Sequence, residues 1–187
     1  MRQDRPTERQ RYVLLRPVVF VGFMGAGKTS VARRLARNVG LVAVDADTFF
    51  AHDAGMSAGD FIRTHGEAAF RDQETAVLKE LLGREHSFIS CGGGIVEREE
   101  NRRLLQEPFV VYLRVSAEEA RSRISSLQSR PLFGDMEQAA ALNRRRAPLY
   151  EAVADVIVDT AGKSVPALAA RVERLLVERG ILCPERK

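Results

Sequence analysis

The chain has 187 residues, 45% of them hydrophobic, with 29 Lys plus Arg against 25 Asp plus Glu for a formal charge of +4, which suits one domain around one sizeable core. No apolar run approaches the roughly 18 residues needed to cross a bilayer and no signal-peptide core follows the polar start, so no membrane partner and a cytoplasmic location are expected. The arginines are scattered and not interleaved with aromatics, so nucleic acid is not an expected partner, while Cys91 and Cys183, with His52, His65 and His86, are too few and too far apart for a disulfide framework or a metal cage.

Residues 1–16 read as an extension, the first dozen as a disordered arm. The first element is the apolar run Val18-Val19-Phe20-Val21, a buried strand. It leads into Gly22-Phe23-Met24-Gly25-Ala26-Gly27-Lys28-Thr29, a complete G-x-x-x-x-G-K-[ST] phosphate-binding loop, and then into a helix from Ser30. Glycines admit positive φ and close approach, so successive N–H groups converge on a phosphate at the positive end of the following helix. The backbone of Gly25, Ala26, Gly27, Lys28, Thr29 and Ser30 is therefore the expected ATP-binding segment. Lys28 would reach the β- and γ-phosphates, and the Thr29 hydroxyl would take a place on Mg²⁺.

A second strand, Leu41 to Val44, ends at Asp45-Ala46-Asp47. If the strand persists, the two aspartates project to one side, so that one can approach Mg²⁺ through water while the other accepts a hydrogen bond from an attacking hydroxyl. Asp47 is equally placed to cap the next helix. Ser57-Ala58-Gly59-Asp60 opens another helix, and Phe70-Arg71 falls in a helical pattern that starts after Gly66. The third strand, Phe88-Ile89-Ser90, runs through Cys91 into Gly92-Gly93-Gly94, which is either a plain flexible turn or a bare backbone surface for a small polar ligand.

Phe109 to Leu113 is the fourth strand, and Ser116-Ala117-Glu118-Glu119 has the form of a capping box before Arg121 and Arg123. The pattern breaks over about 125–137, where Arg130-Pro131-Leu132-Phe133-Gly134-Asp135 makes a candidate mobile lid. Arg146 lies in Arg144-Arg145-Arg146-Ala147-Pro148-Leu149-Tyr150; on periodicity alone it and Arg71 would be solvated helix residues. The fifth strand, Val156-Ile157-Val158, precedes Asp159-Thr160-Ala161-Gly162-Lys163, and the last few residues read as a fraying tail. Strands alternating with helices predict an α/β fold: three α/β/α layers around a five-stranded parallel sheet, with ligands beyond the carboxyl ends of its strands.

The combination resembles the shikimate kinase family. Gly22 to Thr29, Asp45-Ala46-Asp47, Gly66-Glu67 with Phe70-Arg71, Gly92-Gly93-Gly94, Arg130-Pro131-Leu132 and Arg146-Ala147-Pro148-Leu149-Tyr150 stand in that family's order. The resemblance implies a P-loop kinase fold with a substrate-binding helical region and a lid. It implies ATP-dependent phosphorylation of the 3-hydroxyl of shikimate, with ATP and shikimate as partners and Mg²⁺ as cofactor. In that scheme Arg71 and Arg146 clamp the carboxylate, Asp47 holds ring hydroxyls including the one attacked, and Gly93 and Gly94 complete the pocket beside Gly92. Asp45 supports Mg²⁺ through water next to Thr29. Arg130 folds over the phosphates as a catalytic group with Lys28 and Asp47, and Arg123 lies against adenine with Lys163 and Ser164 on its other side. Ile62 departs from the phenylalanine that the family often places against the ring. A monomer is expected. A kinase for another hydroxylated acid such as gluconate, a nucleoside monophosphate kinase, and a non-catalytic nucleotide-binding regulator are the alternatives.

Overall fold

The computed structural model describes residues 11–84, 87–124 and 134–185. Chain order runs β1 (Tyr12–Leu14), β2 (Val18–Val21), α1 (Lys28–Val39), β3 (Ala43–Asp45), α2 (Ala46–Ala54), α3 (Ala58–His65), α4 (Glu67–Leu82) and β4 (Phe88–Ser90). It continues through α5 (Glu99–Leu104), β5 (Phe109–Arg114), α6 (Ala117–Ser122), α7 (Met136–Val153), β6 (Val156–Asp159), α8 (Val165–Glu178) and β7 (Leu182–Pro184). Five strands form one sheet in the order β3-β4-β2-β5-β6, and every neighbouring pair is parallel.

Alternation along the central strands explains the layers. Val18 and Phe20 of β2, with Phe109, Val111 and Leu113 of β5, pack into a core with Val31 and Leu35 of α1 and Leu168 and Val172 of α8. Val19, Val21, Val110 and Tyr112 point the other way, into a core with Phe50 of α2, Phe70, Val77 and Leu78 of α4 and Tyr150 of α7. Side chains of a strand alternate between faces, so a run that is apolar at every position must be covered on both. That makes three layers, as the apolar runs predict.

β2 lies in the middle with β4 on one side and β5 on the other. The chain therefore leaves β2 for one half of the sheet and later returns to fill the other, and such a reversal opens a crevice at the carboxyl ends of the central strands. The loop after β2 occupies that place.

The structure adds a strand pair at residues 12–14 and 182–184, inside the segments read as an extension and a fraying tail; residues 1–10 and 186–187 of those segments lie outside the described residues. β1 pairs antiparallel with β7, Tyr12 opposite Pro184 and Leu14 opposite Leu182, and Leu14, Ile181 and Leu182 are buried in the α1/α8 core. The backbone bonds and this apolar burial stabilise the pairing, so residues 12–14 belong to the folded body and not to a flexible extension. β3 begins at Ala43, two residues later than the apolar run implied. The proposed lid also ends earlier than expected: Asp135 is the N-cap of α7, accepting from the Gln138 N–H, so residues 135–137 are a helix start. No helix among the described residues is long and apolar enough to cross a membrane.

Candidate functional site

The β2–α1 loop is shaped by its glycines. Gly22 has φ +140° and a Cβ there would stand 2.5 Å from the carbonyl oxygen of Leu113; Gly25 has φ +78° and would meet the Ala120 carbonyl at 2.8 Å. Both positions need glycine for conformation and for room. Gly27, at φ +89°, is the N-cap of α1, so the loop's amides turn toward the positive end of a twelve-residue helix. Lys28 folds back along the loop, its Nζ donating to Gly22 O at 2.8 Å and Phe23 O at 3.1 Å, and it is buried.

Thr29 looks across to the neighbouring strands. Its hydroxyl donates to Asp45 Oδ2 at 2.6 Å and lies 3.0 Å from Ser90 Oγ; Asp45 and Ser90 are opposite one another in the β3–β4 register. Asp45 ends its strand and caps α2, with Oδ1 accepting from the Thr48 N–H at 2.9 Å and from the Thr48 hydroxyl at 3.1 Å. Burial acts to raise its carboxyl pKa, but the hydrogen bonds from Thr29 and Thr48 and the charge of Arg33 outweigh burial and hold it below the ordinary 3.8. The cap is thus Asp45 and not Asp47. Asp47 lies in the first turn of α2, so the two aspartates are not on a continuing strand; helix geometry carries Asp47 toward the glycine segment instead.

That segment is the hub of the site. None of Gly92, Gly93 and Gly94 has a left-handed φ, so they are small because of what surrounds them. A Cβ on Gly92 would stand 2.8 Å from Asp47 Oδ1, and one on Gly93 would contact Gly22 O, Tyr150 Oη and Arg146 Nη1 at 3.5, 3.5 and 3.6 Å. One on Gly94 would overlap Arg71 Nη1. Three successive residues therefore face Asp47, the arginine and tyrosine of α7, and the arginine of α4. The sequence Arg146-Ala147-Pro148-Leu149-Tyr150 achieves its part by spacing: Arg146 and Tyr150 are four apart in α7, hence on one face, and Tyr150 donates to Gly93 O at 2.5 Å.

Both arginines are far from the solvated residues that periodicity alone would make them. Arg71 donates to Glu74 Oε2 at 2.8 Å, with Glu67 and Glu97 at 3.3 and 3.4 Å, and Arg146 Nε donates to Glu97 Oε1 at 3.0 Å. Arg146 is 7% exposed, a degree of burial that arginine reaches only with partners. At Glu74 burial dominates over Arg71 and pushes the carboxyl above its ordinary value. At Glu97 burial is outweighed by Arg146, Arg71 and Arg145, and the carboxyl is held below 4.5. Cys91, fully enclosed beside Glu74 and Asp47, has its thiol pushed far up by burial, so it is no nucleophile.

A cleft of about 580 Å³ runs from the glycine segment to the far side of the loop, lined by Gly25 to Ser30, Asp45, Asp47, Ser90, Gly92 and Gly93 and then by Arg123, Lys163 and Ser164. Arg123 donates to Thr160 O at 2.7 Å and Thr160 Oγ1 at 3.0 Å and pairs with Glu119, which also accepts from the Gly162 N–H at 2.9 Å. The arginine thereby ties the end of β6 to the cleft wall. Ser164 is the N-cap of α8 and Lys163 Nζ lies 3.4 Å from Ala161 O. Ile62 is on α3, 36% exposed. Arg130 lies outside the described residues, as does most of the expected lid.

Sequence reading missed Glu97, Glu74, Ser90, Thr160 and Glu119. Glu74 had a signal, being three residues after Arg71 on one helix face, and Ser90 had one as the last residue of a strand beside the loop. Glu119 had one too, four residues before Arg123 on the same helical turn; Glu97 and Thr160 had none, because their partners are brought to them only by tertiary packing.

Comparison with known proteins points to one family. The family model described as shikimate kinase matches residues 24–176. The shikimate kinase of Streptococcus gordonii is 40% identical over 156 residues, covering 81% of this chain and 94% of that protein, and that of Bordetella avium is 38% identical over 156 residues, covering 81% and 75%. Among solved structures, the shikimate kinase of Acinetobacter baumannii in complex with shikimate superposes with a TM-score of 0.83 at 32% identity, covering 88% of this chain and 94% of that one. The enzyme from Aquifex aeolicus gives 0.78 at 26% identity, covering 88% and 98%. A phosphate-binding loop, a facing aspartate, the buried Arg146 and the partly buried Arg71 gathered on one glycine segment, together with these matches, lead to one assignment: the chain belongs to the shikimate kinase family.

Proposed function

We propose that this chain transfers the γ-phosphoryl group of ATP to the 3-hydroxyl of shikimate, giving shikimate 3-phosphate and ADP on the route to chorismate and the aromatic amino acids. The observation that carries the reading is the glycine segment. Gly92 faces Asp47, Gly93 faces Arg146 and lies against Gly22 of the phosphate loop, and Gly94 faces Arg71, so carboxylate-binding and hydroxyl-binding groups sit around one backbone strip next to the donor loop.

The arginines suit a carboxylate because guanidinium forks grip it in position and angle, each charged hydrogen bond being worth roughly 1.5 to 3 kcal/mol. With the carboxylate fixed at Arg71 and Arg146, the ring hydroxyls turn toward Asp47. Asp47 orients the attacking oxygen and takes a hydrogen bond from its proton. Lys28, at the loop's mouth, neutralises charge on the phosphates, and the amides of Gly25 to Ser30 hold the donor in line, since phosphoryl transfer is catalysed mainly by positioning and charge neutralisation. Arg123 would lie against the adenine, with Lys163 and Ser164 opposite.

The residues around Thr29 fit Mg²⁺. The donors there are all oxygens, Asp45 is held anionic, and among the described residues no three His, Cys, Asp or Glu side chains form a cage, which suits an ion that keeps its waters and binds phosphate oxygens. Thr29 would hold it directly and Asp45 through water; when bound it supplies charge neutralisation at the transferring group.

The deciding experiment is ADP release measured with shikimate, quinate, gluconate and nucleoside monophosphates as acceptors. Release stimulated by shikimate is expected. Stimulation by gluconate or a nucleotide alone would reassign the acceptor, and nucleotide binding with no stimulated release would make the chain a regulator.

A further inference from the structure

Glu97 lies on the turn after the three glycines, its N–H bonded to Gly94 O at 2.9 Å. Its carboxylate reaches back between the buried Arg146 and the partly buried Arg71. Oε1 accepts from Arg146 Nε at 3.0 Å and from Arg145 Nη2 at 2.6 Å, and Oε2 lies 3.4 Å from Arg71 Nη2. Glu97 thus accepts from the same guanidinium groups that would hold the carboxylate of an acceptor.

The arginine and glutamate charges around that point balance. Arg71, Arg145 and Arg146 are paired with Glu67, Glu74 and Glu97, three cations to three carboxylates, and Asp47 adds a further negative charge felt at Glu74. Another carboxylate brought among them would leave an excess negative charge in a partly desolvated place, which like-charge repulsion opposes. One resident carboxylate must give way, and the surroundings single out Glu97. The side chain of Glu74 is 12% exposed and held within α4, while Glu67 is 69% exposed and already screened by water. Glu97 is 23% exposed and shares its Oε1 with Arg145, whose side chain is 68% exposed. A rotation about its side-chain bonds can carry it outward without losing that partner.

We propose that Glu97 is an internal competitor for the acceptor's carboxylate: it neutralises Arg71 and Arg146 in the empty site and turns out toward solvent with Arg145 when the acceptor's carboxylate takes its place. It sets acceptor affinity without touching the reacting hydroxyl. The inference rests on Arg71 and Arg146 being the carboxylate clamp.

The test is steady-state kinetics of Glu97→Gln with shikimate and with its carboxamide, which keeps the hydroxyls and loses the charge. The KM for shikimate is expected to fall about three- to tenfold, in the range of a partly exposed ion pair no longer exchanged, while the KM for ATP and that for the carboxamide stay within about twofold. Thermal unfolding gives a second readout. The variant's unliganded Tm should drop, because Arg146 loses its nearest carboxylate, and shikimate should raise Tm by more than it does in the wild type. An unchanged or raised KM for shikimate, an equal fall in KM for the carboxamide, or a smaller shikimate-induced rise in Tm would overturn the proposal, a raised KM meaning that Glu97 holds the arginines in place for the acceptor. Failure of the underlying clamp looks different: Arg71→Ala and Arg146→Ala would leave the KM for shikimate unchanged whatever Glu97 does.

Discussion

Thr29 and Asp45 join the phosphate-binding loop to the helix that carries Asp47: the threonine hydroxyl donates to Asp45 Oδ2 at 2.6 Å while Asp45 Oδ1 caps the helix that begins with Ala46 and Asp47. One carboxylate thereby fixes both the residue expected on the metal and the helix that presents the residue expected on the acceptor. Asp45→Asn keeps a capping side chain and removes the charge. Its turnover should fall and its half-saturating Mg²⁺ concentration should rise, read from a Mg²⁺ titration of ADP release. Asp45→Ala should lose about 1 kcal/mol more in folding stability through the missing cap. If Asp45→Asn needs no more Mg²⁺ than the wild type, Asp45 serves the helix alone.

Asp47→Asn separates the two halves. The aspartate stands over Gly92 from the first turn of α2, so turnover should drop by about 10² or more, in the range of a lost general-base or hydroxyl-orienting contact, while ATP affinity stays within about twofold. Equilibrium binding of a fluorescent ATP analogue beside kcat checks this. An equal loss of nucleotide binding would place Asp47 on the donor side.

The donor loop was fully legible in the sequence because its chemistry is local: strand, glycines, lysine and helix follow one another, and backbone geometry alone aims the amides. The three layers were legible for a similar reason, since β2 and the stretch Phe109 to Leu113 of β5 are buried at every position and must be covered on both faces. The acceptor side was different. Arg71 and Arg146 read as ordinary helix residues until α4 and α7 were brought to one glycine segment, and only the resemblance to a family singled them out beforehand. Glu97 is the extreme case, since nothing in its neighbourhood along the chain announces three arginine partners. The β1–β7 pairing was hidden because each strand is only three residues long and its partner is at the other end of the chain.

The glycines should divide by what their missing side chains would meet. Gly22→Ala would press against the backbone of Leu113 at a φ that other residues rarely adopt, so it should lower Tm and leave little folded enzyme. At Gly94 the obstacle is the tip of the Arg71 side chain, which can move. Gly94→Ala should therefore fold with nearly wild-type Tm and show a raised KM for shikimate, about tenfold for one displaced charged contact. Gly93→Ala, with its nearest neighbours at 3.5 Å, should be the mildest in both. Thermal unfolding and acceptor KM of the three variants test the order; a Gly94→Ala enzyme with unaltered KM would mean that Arg71 does not hold the acceptor.

Acid should remove the contribution of Glu97 in a predictable direction. Its carboxyl is held below 4.5 in the folded protein, the three arginines outweighing burial, so its ion pairs stabilise the fold above the ordinary value and that stability is lost as pH falls through the lowered one. Glu97→Gln lacks the contribution at every pH. Unliganded wild type should therefore be more stable than the variant at about pH 7, and the gap should close as pH drops below 4.5, because protonation turns the wild-type side chain into a neutral one as well. Urea unfolding of both proteins across that range gives the comparison. A gap that stays constant down to the lowest pH at which both remain folded would mean that packing of the side chain, and not its charge among Arg71, Arg145 and Arg146, accounts for the difference.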